Sequence, residues 1–154
     1  MNCQENTSPG LYVHVPFCRS RCTYCDFHVA ALRPSVMKEY VSCLISEVRR
    51  HAEAGFQPRT IFVGGGTPSA LPKEEWENLL GVLSDCFGTN LLEWTVEANP
   101  ESIEPEKIQS ALEFGVDRFS TGAQTFSEKG LSLMGRRHDS DRVFQVHQWF
   151  AECQ

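Results

Sequence analysis

The feature that most constrains the fold of this chain is a regular alternation of short apolar runs with longer amphipathic segments. The short runs are β-branched or aromatic and predict strands, while apolar residues recur at helical spacing in the longer segments. The predicted strands are 11–16, 60–63, 92–98 and 116–120, and the predicted helices are 35–54, 73–87, 105–114, 127–134 and 140–150. Such alternation predicts an α/β fold of about four strand–helix units, with parallel strands and functional loops at their carboxyl ends.

Composition places the chain among globular proteins. Of its 154 residues 41% are apolar and 22% are charged, which is typical of one soluble domain. We expect a polar N-terminal extension at 1–10 followed by one domain at 11–154. Residues 1–10 lack the basic and apolar stretches of a secretory signal, and no apolar run approaches the roughly 20 residues of a membrane span. The sequence therefore predicts a cytoplasmic protein.

The net charge of −6 argues against a nucleic-acid partner. Residues 1–77 contain equal numbers of acidic and basic side chains, so the acidic excess lies entirely in the second half of the chain. A nucleic-acid surface requires a basic stripe, which this distribution does not provide.

Cysteines provide the strongest chemical clue. There are seven, an odd number, and three of them, Cys18, Cys22 and Cys25, form a C-x3-C-x2-C motif. In a reducing compartment this spacing indicates metal binding rather than a disulfide framework. Thiolates hold iron–sulfur clusters, and three of them would leave one iron of a cubane open to another ligand. A zinc site completed by His14 or His28 is the alternative.

The remaining four cysteines are scattered. Cys43 and Cys86 fall on or beside the apolar stripes of predicted helices, so we expect both to be small core residues. Cys3 and Cys153 lie near the ends of the chain, where exposed thiols are expected.

Two further segments follow predicted strands. A glycine run at 64–66 leads into Thr67 and would leave backbone amides bare for a ligand, although such runs are more often turns. Glu97 ends the third strand, and a carboxylate there needs a partner because an unpaired buried charge is costly. A structural ion pair or a turn cap is the alternative role for Glu97.

The sequence LYVHVPFC at 11–18, running into C-x3-C-x2-C and then Asp26-Phe27, resembles the radical S-adenosylmethionine superfamily. More narrowly, it resembles the oxygen-independent coproporphyrinogen III oxidase family and its heme-chaperone relatives. The resemblance extends over about residues 11–148. It implies a partial (βα) barrel of the radical SAM type, with a 4Fe–4S cluster on the three cysteines and S-adenosylmethionine (SAM) as a second cofactor.

Four motifs carry the expected SAM contacts: G-G-G-T-P at 64–68, E-x-N-P at 97–100, R-x-S-x-G-x-Q-T-F at 118–126 and G-R-x-H at 135–138. The resemblance also implies a cofactor contact for Tyr12, expected at the end of the first strand, and for Tyr24, just before the third cysteine. It thus assigns cofactor binding to Tyr12, Tyr24, Gly64, Gly65, Gly66, Thr67, Glu97, Gln124 and Arg136. Arg118 and Ser120 are expected to be scaffolding and Arg137 to be solvated. For His138 a structural role and a site role stay open.

The resemblance implies reductive cleavage of SAM as the chemistry of such a site. The decarboxylating oxidases carry a further cysteine two residues after the third, where this chain has Phe27, so the heme-chaperone branch is favoured over coproporphyrinogen oxidation. The implied partners are heme or a porphyrin and a one-electron donor such as flavodoxin or ferredoxin. Whether the chain is an enzyme stays open.

The family pattern contains six strand–helix units and a C-terminal domain, whereas four units are predicted before the sequence ends at Gln154. We therefore expect an incomplete barrel whose fourth strand exposes apolar surface, and a chain that is poorly stable and inactive by itself. An inactive, truncated remnant is the third functional alternative.

Overall fold

Four parallel strands carry the fold. In the computed structural model, which describes residues 9–153, they lie side by side in one sheet. In their order across the sheet they are β1 (Gly10–Val15), β4 (Thr60–Gly65), β5 (Glu93–Ala98) and β6 (Arg118–Thr121), while β2 (Phe17–Cys18) and β3 (Ala30–Ala31) form a separate short pair. Every neighbouring pair is parallel, so the predicted α/β architecture is confirmed. Cys3 and most of the predicted extension 1–10 lie outside the described residues.

Helices connect these strands in the predicted places. They are α1 (Pro34–Glu53), α2 (Lys73–Phe87), α3 (Pro105–Phe114), α4 (Glu128–Leu133) and α5 (Ser140–Glu152). Proline at the first turn of α1 and α3 and a left-handed Gly115 after α3 mark boundaries that sequence can reveal. The fourth strand begins two residues later than predicted, because the Val116 N–H donates to Ala111 and caps α3.

The two faces of the sheet differ in chemistry. Val13, Ile61 and Val96 point toward the helices and are at most 2% exposed. The opposite face carries polar and aromatic side chains, and one row across it contains Tyr12, Phe62, Thr95 and Arg118. One face therefore packs the core, while the other carries the more polar row, as on the inner side of a barrel.

Most of the core lies between the sheet and helices α1 and α2. Its largest fully buried side chains are Phe17, Met37, Ile61, Leu71, Trp76, Leu79, Leu80, Leu83, Phe87 and Trp94. A smaller core under α3 and α5 contains Ala98, Ile103, Ile108 and Val146. No helix among the described residues is long and apolar enough to cross a membrane.

The fourth strand does not expose the apolar surface that the sequence predicts. Phe119 is half-buried and stacks on Phe150 of α5 at 4.8 Å between ring centroids, while Arg118 and Thr121 form the exposed part of β6. Helix α5 supplies this cover because its apolar side faces the smaller core. The exposed large apolar side chains lie elsewhere in the described chain.

Two short features and two cysteines differ from prediction. A two-stranded parallel pair, β2 (Phe17–Cys18) with β3 (Ala30–Ala31), and a 3₁₀ turn at Pro68–Ala70 were not predicted. Cys43 is exposed rather than buried, because it lies on the solvent side of α1. Cys153 is half-buried against the smaller core rather than exposed, because the extended α5 carries it there. Cys86 packs beside the main core, as predicted.

Candidate functional site

A cavity of about 670 Å³ opens at the carboxyl edge of the sheet, where the loops after β1, β4, β5 and β6 meet. This volume lies within the range of small-molecule sites, about 300–1,000 Å³. Ten of the predicted site residues line it: Cys18, Cys22, Tyr24, Cys25, Gly65, Gly66, Thr67, Glu97, Gln124 and Arg136. Tyr12 and Gly64 do not line it. Residues separated by up to 118 positions in the sequence thus share one cavity.

The cysteine loop, which joins β2 to β3, is held at its two ends and near its middle. Parallel pairing of β2 with β3 closes the loop at its base, immediately beside Cys18. Near the middle, the Thr23 N–H donates to the Met134 carbonyl and the Thr23 hydroxyl to the Leu133 carbonyl, both at the end of α4. The loop therefore lies between the first strand and the last loops of the described chain.

Each cysteine sulfur is half-buried at the cavity wall. Cys18 Sγ lies 3.4 Å from Thr67 Oγ1, and Arg136 Nη1 donates to Cys22 Sγ at 3.5 Å. Burial raises the pKa of the Cys18 thiol, and the hydrogen bond with Thr67 partly opposes this. A bound cation would favour the thiolate that burial alone disfavours.

The two histidines proposed for a zinc alternative do not line the cavity. The His14 ring covers Gly65, and its Nδ1 lies 3.0 Å from the Tyr12 hydroxyl. His28 is exposed. Within residues 9–153, no three His, Cys, Asp or Glu side chains are grouped around one metal-ion position. A donor set of three thiols matches a cubane, in which each thiolate binds a different iron.

The glycine run fits closely against its surroundings. A Cβ on Gly66 would lie 2.7 Å from the Pro16 carbonyl carbon, and Gly65 has a φ of +113° that disfavours other residues. The prediction of bare amides is wrong for this segment, because Gly65, Gly66 and Thr67 each donate within the chain. The glycines therefore allow close packing. Gly65 and Gly66 line the cavity without side chains, and their N–H groups are already bonded within the protein.

Glu97 accepts a hydrogen bond from the first of these amides, the Gly65 N–H. Its Oε2 accepts from the Gly65 N–H at 3.0 Å, so one carboxylate oxygen holds β5 to the end of β4. Gly64 makes this possible, since a Cβ there would lie 2.8 Å from Glu97 Oε2. Glu97 is half-buried and lines the cavity, so it combines the structural role with the predicted site role.

Gln124 lies in a strained turn. Its φ is +65°, and the Thr125 N–H donates to the Ala123 carbonyl across it at 2.8 Å, which defines a γ-turn of the rare positive-φ form. Its side chain lies over Gly122, where a Cβ would be 2.8 Å from Gln124 Nε2. Backbone strain of this kind is concentrated at functional sites, which agrees with the predicted cofactor role of Gln124.

Arg136 joins three loops. Its Nη2 donates to the Gly122 carbonyl at 2.7 Å and to Asn99 Oδ1 at 3.3 Å, while Nη1 approaches Cys22. Its buried Nε has no hydrogen-bond partner among residues 9–153. A guanidinium with an unused donor beside a cavity fits a ligand that carries carboxylate or hydroxyl oxygens.

A buried polar network behind the glycine run was missed by the sequence analysis. Ser69 and Ser102 share a 2.7 Å hydrogen bond, and the Asn99 N–H donates to Ser69 Oγ. Lys107 Nζ donates to the Ser69 and Leu71 carbonyls, each at 2.6 Å. Burial, with a smaller contribution from the nearby Arg19, lowers the pKa of Lys107 to about 8. Only Asn99 belonged to a motif that could have indicated this network.

His138 and the tyrosines complete the predicted set. His138 is only 6% exposed, neither ring nitrogen has a partner among the described residues, and it does not line the cavity. Burial lowers the pKa of His138, with Arg136 adding to the shift. Tyr24 lines the cavity, and burial raises its pKa. Tyr12 lies in the middle of β1, not at its end, and stacks on Phe62.

Comparison with known proteins identifies the family. The Radical SAM superfamily matches residues 12–154, so the chain belongs to this superfamily. Its members in general use a 4Fe–4S cluster and SAM. The cavity fits these groups in three respects: three thiols lie along its wall, an unused guanidinium donor lies beside it, and a glycine segment with no side chains borders it.

Similar proteins in two bacteria share one name, heme chaperone HemW. The chain is 37% identical over 139 residues to the heme chaperone HemW of Bacillus subtilis, and 39% over 133 residues to HemW of Escherichia coli. These matches cover 88% and 84% of this chain, which spans only 37% and 35% of the length of those relatives.

The fold is similar to that of a solved structure. Coproporphyrinogen III oxidase HemN of Escherichia coli, a radical SAM enzyme, superposes with a TM-score of 0.83 at 28% identity. That match covers 94% of this chain and 35% of HemN. The resemblance to the heme-chaperone branch is thus confirmed, and the partial radical SAM barrel agrees with the HemN fold.

Proposed function

We propose that this chain holds a 4Fe–4S cluster on Cys18, Cys22 and Cys25 and binds SAM in the adjoining cavity, as the cluster-binding part of a heme-chaperone type protein. The observation that carries the proposal is the convergence of ten predicted site residues on one cavity. When bound, the cluster supplies an electron for reductive cleavage of SAM.

The chain's own residues would then bind and orient the cofactors. The cysteine thiolates would hold three irons of the cluster and leave the fourth open to another ligand. Arg136 has an unused Nε donor for a carboxylate or hydroxyl oxygen of SAM. Gln124, in its strained turn, would add an amide contact, and Glu97 has a second carboxylate oxygen beyond the one that binds Gly65.

Heme binding and transfer follow from the relatives rather than from the cavity alone. Two curated relatives carry the name heme chaperone, and HemN is named as a coproporphyrinogen oxidase, so both names point to tetrapyrroles. We therefore propose heme or a porphyrin as the partner, and a one-electron donor such as flavodoxin or ferredoxin. Because thiolate-bound clusters suit a reducing compartment, we place this function in the cytoplasm.

Oxidative decarboxylation of coproporphyrinogen is the second candidate. The HemN superposition favours it. Phe27 opposes it, because the decarboxylating branch carries a cysteine at that place. We therefore rank heme transfer first, and an inactive remnant remains the alternative that predicts no cofactor binding at all.

The test is anaerobic iron–sulfur reconstitution of this chain, followed by electron paramagnetic resonance of the reduced form with and without SAM. We expect about four irons per chain and a spectrum that SAM changes. Cys22→Ser should lose the cluster, whereas Cys43→Ser, at an exposed thiol outside the cavity, should retain it. Loss of iron from neither variant, or from both equally, would overturn the assignment, and no cluster in the unmodified chain would favour the inactive remnant.

A further inference from the structure

The Phe27 side chain is exposed although it lies at the wall of the cavity. Its side chain is 66% accessible, yet it lines the cavity beside Tyr24, which is 51% accessible. Single exposed apolar side chains are common on protein surfaces. Two exposed aromatic rings within four residues, both at the wall of a cofactor cavity, form a surface that a flat apolar ligand can cover.

The same rim of the cavity carries an exposed arginine without an ion-pair partner. Arg19 lines the cavity, is exposed, and has no carboxylate within ion-pair distance among residues 9–153. Arg21 is less available, because it binds the Cys25 carbonyl and lies 3.6 Å from Asp26. Within the described part of the chain, Arg19 is therefore a free cation at this rim.

Aromatic rings beside a free guanidinium fit a planar macrocycle that carries carboxylates. We propose that Phe27 and Arg19 form a tetrapyrrole contact at the mouth of the cavity, with the Phe27 ring against the macrocycle and the Arg19 guanidinium binding a carboxylate. The inference rests on the proposed function, whose tetrapyrrole partner it places on named residues.

The cavity volume explains why the contact lies at the mouth. A volume of about 670 Å³ has to accommodate the cluster and SAM beside the three cysteines. A macrocycle would then cover the opening rather than enter it, where Phe27 and Tyr24 are exposed. The phenylalanine that replaces the oxidase branch's extra cysteine would thus contact the ligand, and a heme held there would lie next to the cofactors.

The test is a titration of the anaerobic, reconstituted chain with hemin, followed by its Soret absorption. Phe27→Ala should weaken hemin binding about five- to tenfold, the factor expected for a lost aromatic stacking contact. Phe27→Trp should retain the binding. Phe126→Ala is the matched control, since Phe126 is 58% exposed and does not line the cavity. Equal effects of Phe27→Ala and Phe126→Ala would overturn the contact.

The contact between Arg19 and a carboxylate of the ligand is tested with Arg19→Gln. Arg33→Gln is the control, because Arg33 is an exposed arginine outside the cavity. Arg19→Gln should weaken binding of hemin but not of iron octaethylporphyrin, which has no carboxylates. Equal weakening for both probes would refute the carboxylate contact.

The proposed cofactor function and the proposed tetrapyrrole contact can be overturned independently of each other. Hemin binding that depends on Phe27 in a chain that takes up no cluster would support the contact and overturn the proposed cofactor function. A cluster that responds to SAM, combined with hemin binding insensitive to Phe27 and Arg19 or with no hemin binding, would overturn the contact and leave the cofactor function standing.

Discussion

The two sides of the cavity are built differently. The sheet side, from the glycine run to Lys107, is held by short hydrogen bonds, including 2.6 Å from Lys107 to Ser69 and 2.7 Å between Ser69 and Ser102. On the cysteine side, residues 21–25 are held by longer contacts of 3.1–3.5 Å, and the loop carries exposed arginines and aromatic rings. The sheet side is therefore formed by the protein itself, whereas the cysteine side depends more on what it binds.

The largest expected effect is protection of the cysteine loop by its cluster. Arg19 and Arg21 are exposed there, so trypsin should cleave the cluster-free chain rapidly after them. Reconstitution should slow this cleavage at least about tenfold, because three thiolate bonds would restrain the loop. Mass spectrometry of timed digests measures both rates. Cleavage after Arg59, which is exposed and distant from the cavity, is the control, and an equal slowing at Arg59 would contradict the local effect.

Substitution of Gly64 by alanine tests the sheet side. The added Cβ would lie 2.6 Å from Phe62 Cε1 and 2.8 Å from Glu97 Oε2, so the carboxylate must move and lose its bond to Gly65. We expect a loss of about 1–3 kcal/mol in the free energy of unfolding, together with weaker SAM binding. Gly81→Ala in α2, where the added Cβ meets only the Phe114 ring, should leave SAM binding unchanged.

Lys107→Met removes the donor to two carbonyls. Leaving the Ser69 and Leu71 carbonyls unpaired should cost about 1–3 kcal/mol in urea unfolding at pH 7.5. The folded-state pKa of Lys107, about 8, is below the ordinary value of 10.5. Between these values the unfolded chain binds more protons, so Lys107 makes stability rise with pH in this window. Measurements at pH 7.5, 8.5 and 9.5 should show a flatter slope in the variant, and an unchanged slope would contradict the buried position.

Gln124→Gly separates stability from binding. Glycine tolerates the φ of +65°, so the variant should be about 0.5–1 kcal/mol more stable while it binds SAM more weakly. Asn90→Gly is the control, because Asn90 has a φ of 64° away from the cavity. Asparagine tolerates this conformation better than glutamine, so the control should gain less stability and leave SAM binding unchanged. A destabilised Gln124→Gly would show that the turn needs the side chain.

Much of the fold followed from local signals. Proline at the start of α3, glycine after α1 and α3 and the spacing of apolar residues placed every long helix within two residues of its position. The pair β2 and β3 could not be found in this way, since two-residue strands exist only because tertiary contacts bring them together. The cover over Phe119 was missed because it comes from Phe150, 31 positions away.

The site, like the fold, was predicted only in part from the sequence. The motifs brought ten residues to the cavity, because loops at the carboxyl ends of parallel strands meet at one edge. Periodicity could not reveal that Gly64 makes room for Glu97 or that Lys107 binds carbonyls 36 and 38 positions away. The assumption of free amides failed at Gly65 because its partner, Glu97, lies on another strand.

The reach of Arg136 has a consequence for the order of events during synthesis. Its guanidinium touches Gly122, Asn99 and Cys22, which precede it by 14, 37 and 114 positions. Contacts of such long sequence separation form late, because the chain must first close the loops between them. The pocket is therefore incomplete on a nascent chain until the ribosome has released residue 136, and a cluster delivered earlier would meet cysteines that lack this arginine.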